Sequence, residues 1–205
     1  MTESSTEAPR EPSVRQQLLA AALEAATVHG ISKLSMGDVA RTAGLSRQTV
    51  YRYFPNKEAL VAEVVAEETG ALIERVLLAG ARHADPRDRL EAGFLAALEA
   101  ARDHPLLDRL VRTEPETLLP MLVSDGGPVT AQVRPVVETV IAAGQPHLDA
   151  VPLRRLADII TRLLISYAVS APDDPPEVVA GFVATALTHG VGGELVATST
   201  PPTGD

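Results

Sequence analysis

Between Ser35 and Lys57 the chain gathers side chains suited to duplex DNA. Arg47 and Gln48 can each make a two-pronged contact with a base edge, arginine to guanine and glutamine to adenine. Thr49, Tyr51, Arg52 and Tyr53 follow directly and can donate to phosphates or touch a thymine methyl. Ser35 and Lys57 stand where helices are expected to begin, so backbone N–H groups would add to their own donors. Other chemistry is poorly provided for. With no cysteine there are no disulfides, thiolate metal sites or cysteine nucleophiles. His29, His83, His104, His147 and His189 are scattered without metal-ligand spacing. There is no glycine-rich phosphate loop and no Gly-x-Ser-x-Gly elbow, and Glu67-Glu68 reads as a solvated helix face. Neither an enzyme nor a metal or cofactor site is expected.

The elements that must hold these residues are helices. Aromatic residues are 3% of the chain against 45% hydrophobic, so alanine, leucine and valine must fill the core. Alanine and leucine favour helices, and the aromatic residues that strands favour are nearly absent. An all-α fold is expected. Ser13 is placed to cap a first helix that His29-Gly30 ends. Ser35 caps Met36–Thr42, Ala43-Gly44-Leu45 makes a tight turn, and Ser46 caps a helix ending near Phe54-Pro55. Two short helices that cross closely need a small residue at the contact and a glycine in the turn. Ala40 and Gly44 supply them, with Val39, Leu45 and Val50 positioned to lock the pair. The pattern is a helix-turn-helix over about Met36–Pro55.

Asn56 caps a long helix to about Arg82, and Asp85-Pro86 opens the next, with Leu90, Phe94, Leu95, Leu98 and Ala101 on its apolar side. A short helix, Leu106–Arg112, precedes an irregular stretch, Glu114–Pro128, broken by Pro115, Pro120 and Gly126-Gly127. Pro128–Gly144, Pro152–Ser170 and Pro175–His189 complete the helices. The last two are apolar around most of their circumference, which calls for a large core or a partner. In a chain of this size a second copy of the chain is favoured. The expected division is a tail at 1–12, a DNA-binding domain at 13–58, an effector-binding and dimerisation domain at 59–196, and a second tail at 197–205.

Charge follows the same division. Arg10–Glu58 holds seven basic residues to four acidic, whereas Ala59–Asp205 holds eleven to twenty-one. A basic head on an acidic body suits a modular DNA binder despite the net charge of −9. The polar, acidic start has no apolar leader-like run, and no stretch approaches the ~18 apolar residues of a membrane span. A cytoplasmic protein is expected.

Gly30-Ile31-Ser32-Lys33-Leu34-Ser35-Met36-Gly37-Asp38-Val39-Ala40, then Ala43-Gly44-Leu45-Ser46, then Val50-Tyr51-Arg52-Tyr53-Phe54-Pro55-Asn56-Lys57-Glu58-Ala59-Leu60, resembles the N-terminal domain of the TetR family of bacterial regulators. The resemblance implies about nine helices, a homodimer built on the last two, Pro152–Ser170 and Pro175–His189, and repression relieved by a small molecule in the C-terminal domain. It makes Tyr51, Tyr53 and Lys57 phosphate contacts and leaves Arg47, Gln48, Thr49 and Arg52 at specificity positions. Phe94, Leu98, Leu110, Met121, Val137, Ile141 and Tyr167 are the candidate effector-pocket residues, read alternatively as ordinary core. Their aliphatic character favours a lipophilic effector such as a fatty acid over a planar cationic drug. Arg112 and Arg134 read either as surface arginines or as partners of an acidic headgroup. The function expected is that of a ligand-responsive repressor on a palindromic operator. The competing reading is an apolar-ligand carrier with a vestigial DNA-binding head.

Overall fold

The computed structural model describes residues 12–123, 127–170 and 173–193, and every regular element among them is an α-helix. The two expected tails, Pro12 excepted, lie outside these residues. The chain divides into two compact units, Met1–Val64 and Val65–Asp205, and α4 begins in the first and ends in the second.

The first unit is built by caps. Helix α1 (Val14–His29) opens with a reciprocal capping box in which Ser13 accepts from the Gln16 backbone and Gln16 accepts from the Ser13 backbone. It closes at Gly30, where φ is +88°. Ser35 caps α2 (Met36–Thr42) and Ser46 caps α3 (Arg47–Tyr53), each accepting from the backbone N–H three residues on. Between them Gly44 takes φ +66°, and Leu45 N–H reaches back to the Ala40 carbonyl at 2.9 Å. Leu18, Ala22, Val39, Val50, Phe54 and Leu60 are at most 1% exposed and form the core that joins α1, α2, α3 and the start of α4 (Lys57–Gly80). At the rim Arg15 bridges α1 to Glu63 of α4, Nε to Oε1 at 2.6 Å, with its guanidinium 5.1 Å from the Phe54 ring centroid.

The second unit contains the rest of α4, then α5 (Pro86–Arg102), α6 (Pro105–Thr113), α7 (Pro115–Val123), α8 (Pro128–Gly144), α9 (Ala150–Val169) and α10 (Pro176–Gly193). Helix α5 packs chiefly on α10 and also on α9, while α8 packs along α9. Phe94, Leu98, Val179, Ala180 and Val183 form a buried cluster, and Leu95, Leu163, Leu164, Tyr167 and Leu187 close over it. Phe94 and Tyr167 meet edge to face, their centroids 6.2 Å apart.

Two expectations need correcting. The stretch from Glu114 to Pro128 contains α7, which brings the helices to ten among the described residues. Pro115 sits in the first turn, where its missing N–H costs nothing, and Glu114 accepts from the N–H groups of Thr117 and Leu118. Pro120 removes one internal bond, and burial of Leu118 and Leu122 offsets the loss. Glu67-Glu68 is not a uniformly solvated face either. Glu68 accepts from His104 Nε2 at 2.9 Å, and His104 Nδ1 in turn accepts from Leu107 N–H at the start of α6. The second bond fixes the imidazole as its Nε2–H tautomer.

Thr161 is 0% exposed, and its hydroxyl has no hydrogen-bond partner among the described residues. An unpaired buried hydroxyl costs about 1–3 kcal/mol, and valine has nearly the same shape. Thr161→Val is therefore expected to raise stability by roughly 1 kcal/mol. The measurement is the urea midpoint at unchanged slope, and a lower midpoint would show that the hydroxyl is satisfied after all.

Candidate DNA interface

Helix α3 has seven residues, too few to persist alone in water. Two anchors hold it. Ser46 Oγ accepts from Thr49 N–H at 3.1 Å and lies 2.9 Å from the Thr49 hydroxyl, so Thr49 is drawn into the cap. Val50, 0% exposed, pins the inner face. With Val50 turned inward, Arg47, Gln48, Tyr51 and Arg52 are left exposed. Tyr53 is half-buried beneath the Arg52 guanidinium, which sits 5.3 Å from its ring centroid. A row of donors on one short, capped helix is what reading a major groove requires.

The flanking residues are already engaged. The Ser35 hydroxyl donates to Asp38 Oδ2 at 2.5 Å and accepts from the Asp38 N–H at 3.2 Å. Arg41 donates to the other Asp38 oxygen. The Ser35 hydroxyl bond, and then Arg41, hold the Asp38 carboxyl below its ordinary value of 3.8. Lys57 Nζ donates to the Ser32 carbonyl at 2.9 Å, tying the start of α4 to the loop before α2. An ammonium has three donors, so two remain for a phosphate. Asp38 and Arg41 were not anticipated as part of this surface, although Ser-x-x-Asp is a helix-start signature and Asp38 and Arg41 are three apart on one face.

The candidate effector residues do not converge. Phe94, Leu98 and Tyr167 share the α5–α10 cluster. Leu110 is buried on α6, Met121 is half-buried on α7, and Val137 and Ile141 are half-buried on α8. A cleft of about 70 Å³ in the second unit is bounded by α5, α8, α9 and α10, and Ile141 alone of the seven lines it, beside Leu90, Val140, Leu156, Ile160 and Leu187. Arg112 is a surface arginine, paired with Asp108 at 2.8 Å, and Arg134 is exposed.

Because folding lowers the Asp38 pKa, its contribution to stability is full at neutral pH and is lost as pH falls through that lowered value. Asp38→Asn should therefore narrow its stability gap from the unsubstituted protein as pH drops below 3.8. Unfolding midpoints measured from pH 7 to pH 2.5 test this, and a gap that widens in acid would contradict it.

Comparison with known proteins extends over both units. Residues 18–64 match the bacterial regulatory proteins of the tetR family, and residues 85–189 match the bacterial tetracyclin repressor C-terminal domain. An uncharacterized HTH-type transcriptional regulator of Mycobacterium tuberculosis is 34% identical over 91 residues, 44% of this chain and 45% of that protein. The chain thus aligns with about half the length of such relatives. The probable acrEF/envCD operon repressor of Escherichia coli is 30% identical over 100 residues, 48% of this chain and 45% of the repressor. Among solved structures, the TetR family repressor AlkX from Dietzia, implicated in n-alkane biodegradation, superposes with a TM-score of 0.67 at 24% identity, covering 88% of this chain and 96% of its own. With its two domain matches lying on a capped helix-turn-helix and on the helical unit that follows, the chain belongs to the TetR family of bacterial transcriptional regulators.

Proposed function

We propose that the chain binds a palindromic operator as a homodimer and leaves it when a small lipophilic molecule enters the second unit. The observation that carries the DNA reading is the exposed set Arg47, Gln48, Tyr51 and Arg52 on a helix held from behind by Val50 and capped by Ser46. In this reading Arg47 and Gln48 address base edges, while Tyr51, Tyr53, Lys57, Ser35 and Ser46 serve the backbone. Thr49, drawn into the cap, and Arg52, stacked on Tyr53, contribute shape and charge. Two such helices reach successive major grooves when they lie roughly 34–36 Å apart, which makes the operator two-fold.

The dimer reading rests on α9 and α10. Ile159, Val178 and Phe182 are 52%, 55% and 75% exposed, an amount of bare apolar surface that a second copy would cover. The lipophilic effector is supported by the apolar wall of the cleft and by two fold neighbours. One is AlkX, and the other is the fatty acid degradation regulator FadR from Bacillus halodurans, with a TM-score of 0.58 at 16% identity. At about 70 Å³ the cleft is far below the roughly 300 Å³ at which ligand pockets begin, so an effector must widen it to enter. Helix α4, which belongs to both units, is the covalent route by which that strain would reach the head.

Selection of bound fragments from random duplex DNA should return a palindrome. Arg47→Ala or Gln48→Ala should relax one base preference by about 1–3 kcal/mol, and Lys57→Ala should weaken all sequences alike. Salt-sensitive binding with no preferred sequence would sink the operator reading and favour an apolar-ligand carrier. Phe182→Glu should convert the dimer to monomers in sedimentation and weaken operator binding with them. An unchanged dimer would place the interface elsewhere.

A further inference from the structure

Arg47 is exposed, but its guanidinium lies close against Gly37 of α2. A Cβ built on Gly37, in the first turn of α2, would lie 2.7 Å from Arg47 Nε and 2.8 Å from Cζ, and would also collide with Nη2. The guanidinium therefore occupies space beside α2 that exists only because residue 37 has no side chain. Among the described residues no hydrogen bond or ion pair holds it there. The nearest carboxylate in sequence, Asp38, is occupied by Ser35 and Arg41. Shape alone seats the guanidinium, and its donors stay unpaired within the described residues.

We propose that Gly37 is a specificity-determining residue: by seating the Arg47 guanidinium on α2, it sets which base edge that arginine reads. This rests on the reading of Arg47 as a base contact. Arginine recognises guanine through two parallel bonds in the base plane, so the direction from which the guanidinium approaches decides which base pair it reaches. Any Cβ at position 37 closes the seat and moves the guanidinium out of it. The displaced atoms are the far end of a flexible side chain, so the backbone need not shift. Alanine is also the better helix former, so eviction carries no folding penalty.

The test is selection from random duplex DNA with the full chain, Gly37→Ala, Arg47→Ala and the double variant, each checked by thermal melting. Gly37→Ala should melt at or above the unsubstituted protein. Its selected site should differ at the position whose preference Arg47→Ala abolishes and match elsewhere, and affinity for the original site should fall about tenfold. Gly37→Ser, which introduces the same Cβ, should repeat the change, and the double variant should behave as Arg47→Ala alone. If Gly37→Ala and Gly37→Ser select the original site with unchanged affinity while Arg47→Ala loses a base preference, the seat is irrelevant and the proposal fails, with the base-reading role of Arg47 intact. If Arg47→Ala loses no preference, that role fails and the proposal with it. A change of site that persists in the double variant would also overturn it, because Gly37 would then act without Arg47.

Discussion

A seven-residue helix cannot keep its own shape in water, and the proposed DNA-facing surface depends on α3 keeping it. The cost of the first helical turn falls on three residues for a single hydrogen bond. Here it is met from outside the helix. Ser46 satisfies an orphan N–H at the start, and Val50 is fully buried in a unit whose buried side chains include Leu18, Val39, Phe54 and Leu60. The turn before it closes only because Gly44 accepts φ +66° and lets Leu45 bond back to Ala40. Removing the inner anchor would release Arg47, Gln48 and Tyr51 together, since all three owe their direction to which side of α3 faces inward.

A surface proposed to attract phosphate also has to avoid spending its charge internally. Asp38 is the acidic residue on α2, and Ser35 and Arg41 both engage it. That arrangement satisfies the α2 cap while keeping the carboxylate away from Arg47. Lys57 gives one donor to Ser32 and retains two. Arg52 lies over Tyr53, a contact that orients the cation without neutralising it. Arg41 is locally cancelled, and the remaining cations stay available to the polyanion.

The first unit was legible because its determinants act within four residues. Ser13, Ser35 and Ser46 begin helices at the positions their side chains indicate, and Gly30 and Gly44 take the positive φ that their places between helices require. Contacts across longer separations were not legible. Nothing at position 37 announces that Arg47, ten residues on, lies against it. Nor does the sequence pair Glu68 with His104 across 36 residues. Helix α7 was missed for another reason. Proline reads as a breaker, yet Pro115 falls where a helix tolerates it, and Leu118 and Leu122 recur at four-residue spacing on a face the structure buries.

Apolar periodicity in α9 and α10 says how much must be buried but not against what. On α10, Val179, Ala180 and Val183 face inward, where Phe94 and Leu98 of α5 meet them, and Ala184 is buried as well. Val178 and Phe182, also four residues apart, occupy another side of the same helix and remain exposed. α5 covers only one side of α10. On α9 the same division separates buried Ala157, Ile160 and Thr161 from exposed Ile159. Covering a phenylalanine-sized side chain contributes about 1.5–3 kcal/mol, which alone does not offset the cost of association. Two-fold symmetry changes that balance, because each exposed residue is covered twice, once in either copy. The uncovered sides of α9 and α10 are therefore more consistent with self-association than with a small partner that would meet each residue once.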